Sequence, residues 1–316
     1  MDSKILKEML LIDSLSEEER VAVARNLVKS ASKEDLEFLG KLANGSDTFL
    51  KRAAIEGLGA FNHISLFFNL ERTVYDTIFP HLTDDNPEVR RCAILSLGEL
   101  GNSRTLFPLV NLYQGGNLQT RNSILHALNS FKDPRSKEFL ESIDDELSDF
   151  AHKIAANIDP DALNYYSFSG DERMYDNSLS VEEQVQINSS KDLDLARDIL
   201  DQNRRDFPSR PQTYIVTPKL KFVIGGNLHE HVYVAKGNVV VAAGEVRLEH
   251  ENGLWEVKEI NNRSNGYHPG SSYKWVRTAL DKAKIKCPDE FTEIFPKEGY
   301  FTEDFLNLQP LADYRD

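Results

Sequence analysis

The sequence predicts an all-α solenoid of helical repeats followed by a small α+β domain with a mainly antiparallel sheet. Three observations predict it. A helical motif recurs three to four times in the first half. The periodicity is lost between residues 159 and 211. Beyond that join come short runs rich in Val, Ile, Tyr and Phe, with an Asn-Gly hairpin signal. The expected domains are 1–158, the solenoid; 159–211, a linker or strap with one helix; and 212–316, the α+β domain.

The repeat is clearest between EVRRCAILSLGELGNSR, from Glu88, and LQTRNSILHALNSFKDPR, from Leu118. At an offset of 31, Arg90 falls on Arg121, Leu97 on Leu128, Leu100 on Phe131 and Arg104 on Arg135. An earlier copy, FLKRAAIEGLGAF, matches at an offset of 39, placing Lys51 on Arg90, Ala54 on Ala93 and Leu58 on Leu97. A weaker copy, FAHKIAANI, begins at Phe150. Val89, Ala93, Leu97 and Leu100 share one helical face, and Asp84 to Pro87 supplies a cap and a first-turn proline. Second helical runs such as RTLFPLVNLY and SKEFLESI lie between the copies. A two-helix unit with an apolar face on each side is stable only when stacked on its neighbours, as in an α-solenoid.

DDNPEVRRCAILSLGELGN followed by an LFPLV helix resembles a HEAT repeat, of the bacterial kind seen in phycobilin-lyase-like proteins. The resemblance covers about residues 14 to 158, with SEEERVAVARNLVKSASKEDLEFLGKLA as an N-terminal capping pair. It implies a concave face that binds a peptide or protein. NHISLFFNLER interrupts one helix pair, and a loop or extra turn with Phe67 and Phe68 packed would account for the longer offset. Arg52, Arg90, Arg91, Arg104, Arg121 and Arg135 fall at positions expected to tie one repeat to the next.

In the join, SSKDLDLARDILDQNRRDF reads as a helix with Leu193, Ala196, Ile199 and Leu200 as its stripe and Ser190 as its cap. Tyr165, Tyr166, Phe168 and Tyr175 suggest that part of the strap packs. TYIV, KLKFVI, HEHVYVA and NVVVAAGEVRLEH read as strands. Asn252-Gly253 favours a type I′ turn pairing Glu251 with Leu254, His250 with Trp255 and Leu248 with Val257. That register puts Val246, Leu248, Trp255 and Val257 on one face. Tyr273 to Ile285 reads as a helix with Val276, Leu280 and Ala283 inward.

YVA, GNVVVAAGEV and the turn that follows resemble a domain shared by plant calmodulin-binding proteins of the IQ-motif family and uncharacterised bacterial proteins. His231, Gly237, Ala242, Ala243, Gly244, Ser264, Tyr267 and Pro269 carry the resemblance, which spans about residues 213 to 285. Asn265-Gly266 stands where that pattern has Gly-His, and no IQ element is visible, so calmodulin is not carried over.

The turn NNRSNGYHPGSSYKW, Asn261 to Trp275, holds the candidate chemistry. Its glycines, proline and asparagines specify a shape, in which Tyr267 is expected to be buried with its hydroxyl paired and Trp275 nearby. His231, Tyr267 and His268 are the candidate catalytic residues. With Glu293 or Glu298 they would suit an ADP-ribosyl-transfer type of site, although the glycine and strand signatures of such enzymes are missing. Arg263, Ser271 and Ser272 at a helix start are the candidate anion-binding residues. His229 and His231 on one strand, with His250, His268 or Glu245, could approach a zinc ligand set, but no HExxH or sustained His/Cys spacing supports a metal. No metal and no cofactor are expected.

Charge narrows the partner. The chain has 316 residues, 51 acidic and 37 basic, and a net charge of −14. That balance opposes nucleic acid and anionic membrane and favours a basic protein. No run of 18 apolar residues and no signal peptide is visible, and Cys92 and Cys287 are isolated, so cytoplasm is the expected compartment. The leading expectation is a protein-interaction protein, an adaptor or a toxin-neutralising immunity-like protein. The alternative is an enzyme built on the His/Tyr site.

Overall fold

The computed structural model describes residues 2–29, 32–61, 68–168, 184–201, 211–225, 231–252, 254–264, 267, 269–270, 273–288 and 290–292. The chain divides into two compact units, one of Met1–Ser136 with Leu140–Ala156, the other of Lys137–Phe139 with Asn157–Asp316.

The first unit is helical. Its helices are α1 (Ser3–Leu10), α2 (Glu17–Val28), α3 (Lys33–Ala43), α4 (Thr48–Gly59), α5 (Phe68–Ile78), α6 (Pro87–Leu100), α7 (Leu106–Gly115), α8 (Leu118–Phe131), α9 (Ser136–Ser142, of which Lys137–Phe139 count with the second unit) and α10 (Ser148–Ala156). Each copy of the repeat forms an even-numbered helix, and α2, α4, α6, α8 and α10 stack in sequence as one layer. Side-chain caps start them: Ser16 with Glu19 forms a capping box on α2, and Asp47, Asn86 and Asn117 cap α4, α6 and α8. Helix α1 is not among the expected elements. It buries Leu6 and Leu10, one turn apart, against α2. The expected packing of Phe67 and Phe68 falls on side chains outside the described residues.

Glycines set the spacing of this layer. A Cβ on Gly59 would lie 2.6 Å from the Cβ of Ser96, and one on Gly98 would lie 2.6 Å from the Cα of Ala127. Gly59 and Gly98 are equivalent positions of successive copies, and so are Ser96 and Ala127. The same small-on-small contact therefore repeats from helix to helix. This explains why glycine persists inside helices, where it costs about 1 kcal/mol relative to alanine.

The recurrent basic residues tie the repeats together, with two exceptions. Lys51 reaches Asp84 at 3.1 Å, and Arg121 reaches Asp145 at 2.7 Å and Glu146 at 2.6 Å. Each of these aspartates lies three residues before the next even-numbered helix. Arg52 pairs with Glu17, and Arg104 with Asp76. Arg135 donates to the Ser103 carbonyl. Arg90 and Arg91 do not cross between repeats. Gly115 stands where Arg90 would need an acid, so its guanidinium donates to the carbonyls of Asp84 and Asp85. Arg91 pairs within its own helix with Glu88.

The second unit is built on a five-stranded antiparallel sheet in the order β1-β3-β2-β4-β5. The strands are β1 (Gln184–Ile187), β2 (Gln212–Val216), β3 (Phe222–Gly225), β4 (Ala242–Glu251) and β5 (Leu254–Ile260). Strand β1 and helix α11 (Ser190–Asp201) lie in the stretch read from sequence as a join, and both pack into this unit. The β4–β5 register is the expected one: Leu248 faces Val257, His250 faces Trp255 and Glu251 faces Leu254. Asn252 takes the positive φ of 51° that a type I′ turn requires, while Gly253 is outside the described residues.

Both faces of the sheet are covered. One carries α11 and α13 (Tyr273–Lys282) over Tyr214, Val216, Phe222, Val246, Leu248 and Val257. The other packs Tyr166, Phe168 and Tyr267 over Ile215, Val223 and Ala243. The described part of HEHVYVA is not a strand. His231–Ala235 forms a short helix, α12, with Val232, Val234 and Ala235 on this second face. Lys236 and Gly237 end it with φ of 53° and 72°. A short apolar run has no period long enough to separate a strand from a buried helical turn.

Candidate functional site

The turn after β5 is held by two asparagines that bond the backbone around them. The Asn261 Oδ1 accepts from the backbone N–H of Glu245 at 3.1 Å and of Arg263 at 2.9 Å. Its backbone carbonyl accepts from the Tyr214 hydroxyl at 2.7 Å. That carbonyl passes so close to Gly244 that a Cβ there would lie 1.9 Å from the oxygen, which requires glycine at 244. Asn262 is fully buried and donates to the carbonyls of Pro269 and Gly270. The signal in the sequence is the Asn-Asn pair ending a strand, since short amides favour such local backbone bonds.

Tyr267 is the anchor of the turn. It is 1% exposed, its hydroxyl donates to the Asn238 carbonyl at 2.9 Å, and its ring lies 5.6 Å from that of Phe168. Trp275 does not join it. That side chain packs against the core on the opposite face of the sheet, because α13 crosses that face.

His231 opens α12, and its Nε2 lies 3.0 Å from the Gly244 carbonyl. A carbonyl accepts only, so Nε2 carries the proton. Burial lowers the imidazole to about 4, with the Gly244 hydrogen bond opposing, so the ring is neutral near pH 7. His231 and Tyr267 thus sit on the same side of the sheet, each committed to a backbone carbonyl. A hydroxyl and an imidazole so engaged hold α12 and the turn in place. His229, His268, Ser271, Ser272, Glu293 and Glu298 lie outside the described residues. Arg263 is exposed, and its backbone N–H is taken by Asn261. His250 lies tilted against Trp255, and Glu245 accepts from Asn261. Among the described residues, no group of three or more His, Cys, Asp and Glu side chains could hold a metal ion.

The first unit contains a buried carboxyl that the sequence does not announce. Glu71 on α5 is 3% exposed and accepts from the Asn102 amide at 2.7 Å through one oxygen. The other oxygen is buried with no partner among the described residues. Burial raises the carboxyl to about 7, against the lowering effects of Asn102 and Arg104.

A family model described as HEAT repeats matches residues 75–157. The match takes in α6, α8 and α10 with the helices between them, and includes the Gly98–Ala127 contact and the Arg121 bridges. Residues 75–157 are therefore similar to HEAT repeats in sequence, and they fall on the stacked helical layer. No curated protein matches the chain. Among the described residues, no helix is long and apolar enough to cross a membrane.

Proposed function

We propose that the chain works by binding another protein through its repeat unit, as an adaptor or as an immunity-like protein that neutralises a basic toxin. The match to HEAT repeats carries this reading, since stacked HEAT helices generally mediate protein–protein contacts. The net charge of −14 favours a basic partner, because complementary charge speeds encounter. A cytoplasmic setting belongs to the same proposal and rests on two isolated cysteines. The finer likenesses, to the phycobilin-lyase-like type and to the domain of IQ-motif proteins, add no activity to it. An ADP-ribosyl-transfer or other enzymatic role draws no support from the geometry of His231 and Tyr267, whose Nε2 and hydroxyl are each engaged by a backbone carbonyl.

The test is affinity capture from the source cell at low salt with the full chain as bait, followed by cross-linking. The reading requires a stoichiometric protein partner whose cross-links fall within residues 1–156. Cross-links confined to residues 157–316 would overturn the assignment to the repeat unit.

A further inference from the structure

The even-numbered helices run parallel, since Lys51 meets Asp84 and Arg121 meets Asp145, first turn to following loop. Their N-terminal ends therefore fall along one edge of the layer. Two large apolar side chains stand in solvent there, Phe49 at 60% exposure on α4 and Leu118 at 52% on α8. Capping does not call for them: Asp47 and Asn117 perform that task with their own side chains. Between and beside them stand exposed carboxylates, Glu18 on α2, Asp85 before α6, and Asp144 and Asp149 around the start of α10.

The bases on this edge are already engaged. Lys51 holds Asp84, Arg52 holds Glu17, and Arg121 holds Asp145 and Glu146. Arg90 is bound to carbonyls and Arg91 lies by Glu88. Among the described residues, Glu18, Asp85, Asp144 and Asp149 have no basic partner. The edge thus presents apolar anchors flanked by unneutralised negative charge.

From this juxtaposition we infer that the edge docks a basic amphipathic helix of a partner protein. The inference rests on the interaction reading above and adds the place and the chemistry. Neighbouring helix axes lie about 8–10 Å apart, so Phe49 and Leu118 are separated by roughly 16–20 Å. A docked helix spans that distance in about 11–13 residues, or three turns and a fraction. Its apolar stripe would cover Phe49 and Leu118, while Lys and Arg beside the stripe meet Asp85 in the middle and Glu18 and Asp144 at the ends.

The experiment uses the full chain and a labelled synthetic Lys/Leu amphipathic helix of about 25 residues, long enough to reach from α2 to α10, with a Glu/Leu helix of the same pattern as control. Three variants are compared, each confirmed folded by circular dichroism: Phe49→Ser with Leu118→Ser, Asp85→Lys with Asp144→Lys, and Glu34→Lys with Glu37→Lys on α3. The two lysine pairs change net charge equally. The expected result is binding of the Lys/Leu helix alone, weakened at least tenfold by the first two variants. The third should stay within about twofold of the parent chain. Equal loss from both lysine pairs would show that bulk charge binds the probe, and would overturn the docking edge. No loss from the serine pair would overturn it as well. Either outcome leaves the interaction reading standing, because that reading is decided by capture of a natural partner. A missing partner in that capture, with the edge behaving as expected, would sink the reading and not the edge.

Discussion

Arg25 on α2 and Glu99 on α6 form a two-pronged ion pair at 2.8 and 2.7 Å, although α4 lies between their helices. An arginine and a glutamate meet across an intervening helix only when that helix is thin and closely packed. Helix α4 is both at this end: its last turn is Gly57, Leu58 and Gly59, and a Cβ on Gly57 would lie 2.5 Å from Ala24. The pair thus reports the same close stacking that the repeated glycine contacts impose.

Because both partners are 41% exposed, the pair adds little to stability itself. Arg25→Ala, Glu99→Ala and the double variant should give a coupling of about 1 kcal/mol or less in a double-mutant cycle by chemical denaturation. A coupling of several kcal/mol would mean that the pair, and not the glycine contact, sets the spacing.

The glycine contact should be the expensive one to disturb. Gly98→Ala forces a methyl to 2.6 Å from the Ala127 backbone and should destabilise the first unit by about 1–3 kcal/mol. Gly115, at the end of α7, is different: a Cβ added there would meet nothing within 4 Å. Gly115→Ala should therefore stabilise by about 0.4–1 kcal/mol. Thermal melts of the two variants should move in opposite directions.

Glu71 should make the first unit less stable as pH rises. Its carboxyl holds a proton up to about 7 in the folded state, while the unfolded chain releases it near the ordinary value of 4.5. The folded state binds more protons between those values, so stability falls with rising pH across that window and levels off above it. Glu71→Gln should remove the fall and be more stable at pH 8 by about 2–3 kcal/mol. An unchanged pH profile of denaturation midpoints in Glu71→Gln would contradict this. His231 works in the opposite sense. Its folded value of about 4 lies below 6.5, so the stability it confers is present above about 6.5 and lost as pH falls toward 4.

Tyr267 tests the turn. Tyr267→Ala should destabilise the second unit by about 3 kcal/mol, through the lost ring against Phe168 and the cavity it leaves. Tyr267→Phe keeps the ring but leaves the Asn238 carbonyl without its donor, and should cost about 1 kcal/mol. Equal effects of the two substitutions, measured by urea denaturation, would show that the hydroxyl and not the packing holds the turn.

The repeat, the hairpin register and the buried tyrosine are legible in the sequence because each rests on a local rule applied several times over. Leu97 and Leu128 recur at fixed spacing, and Asn252 with flanking alternation pins Leu248 opposite Val257. What is not legible depends on partners distant in sequence. His231 cannot be placed on a helix from five residues, and Arg90 cannot be known to lack an acid until Gly115 stands opposite. The burial of Glu71 depends on Asn102, and the separation of Trp275 from Tyr267 on which face α13 covers. Strand β1 does alternate, with Val185 and Ile187 buried and Gln184 and Gln186 less so, but two apolar residues on an edge strand are too few to stand out from the polar join around them.

On the proposed function, the stacked repeat layer is the part that binds another protein. Hydrogen–deuterium exchange on the full chain, alone and in complex with its captured partner, tests it most directly. Added protection is expected in α2, α4, α6 and α8, strongest in their first turns, with residues 157–316 unchanged. Protection confined to residues 157–316, with the repeat helices exchanging as in the free chain, would contradict it.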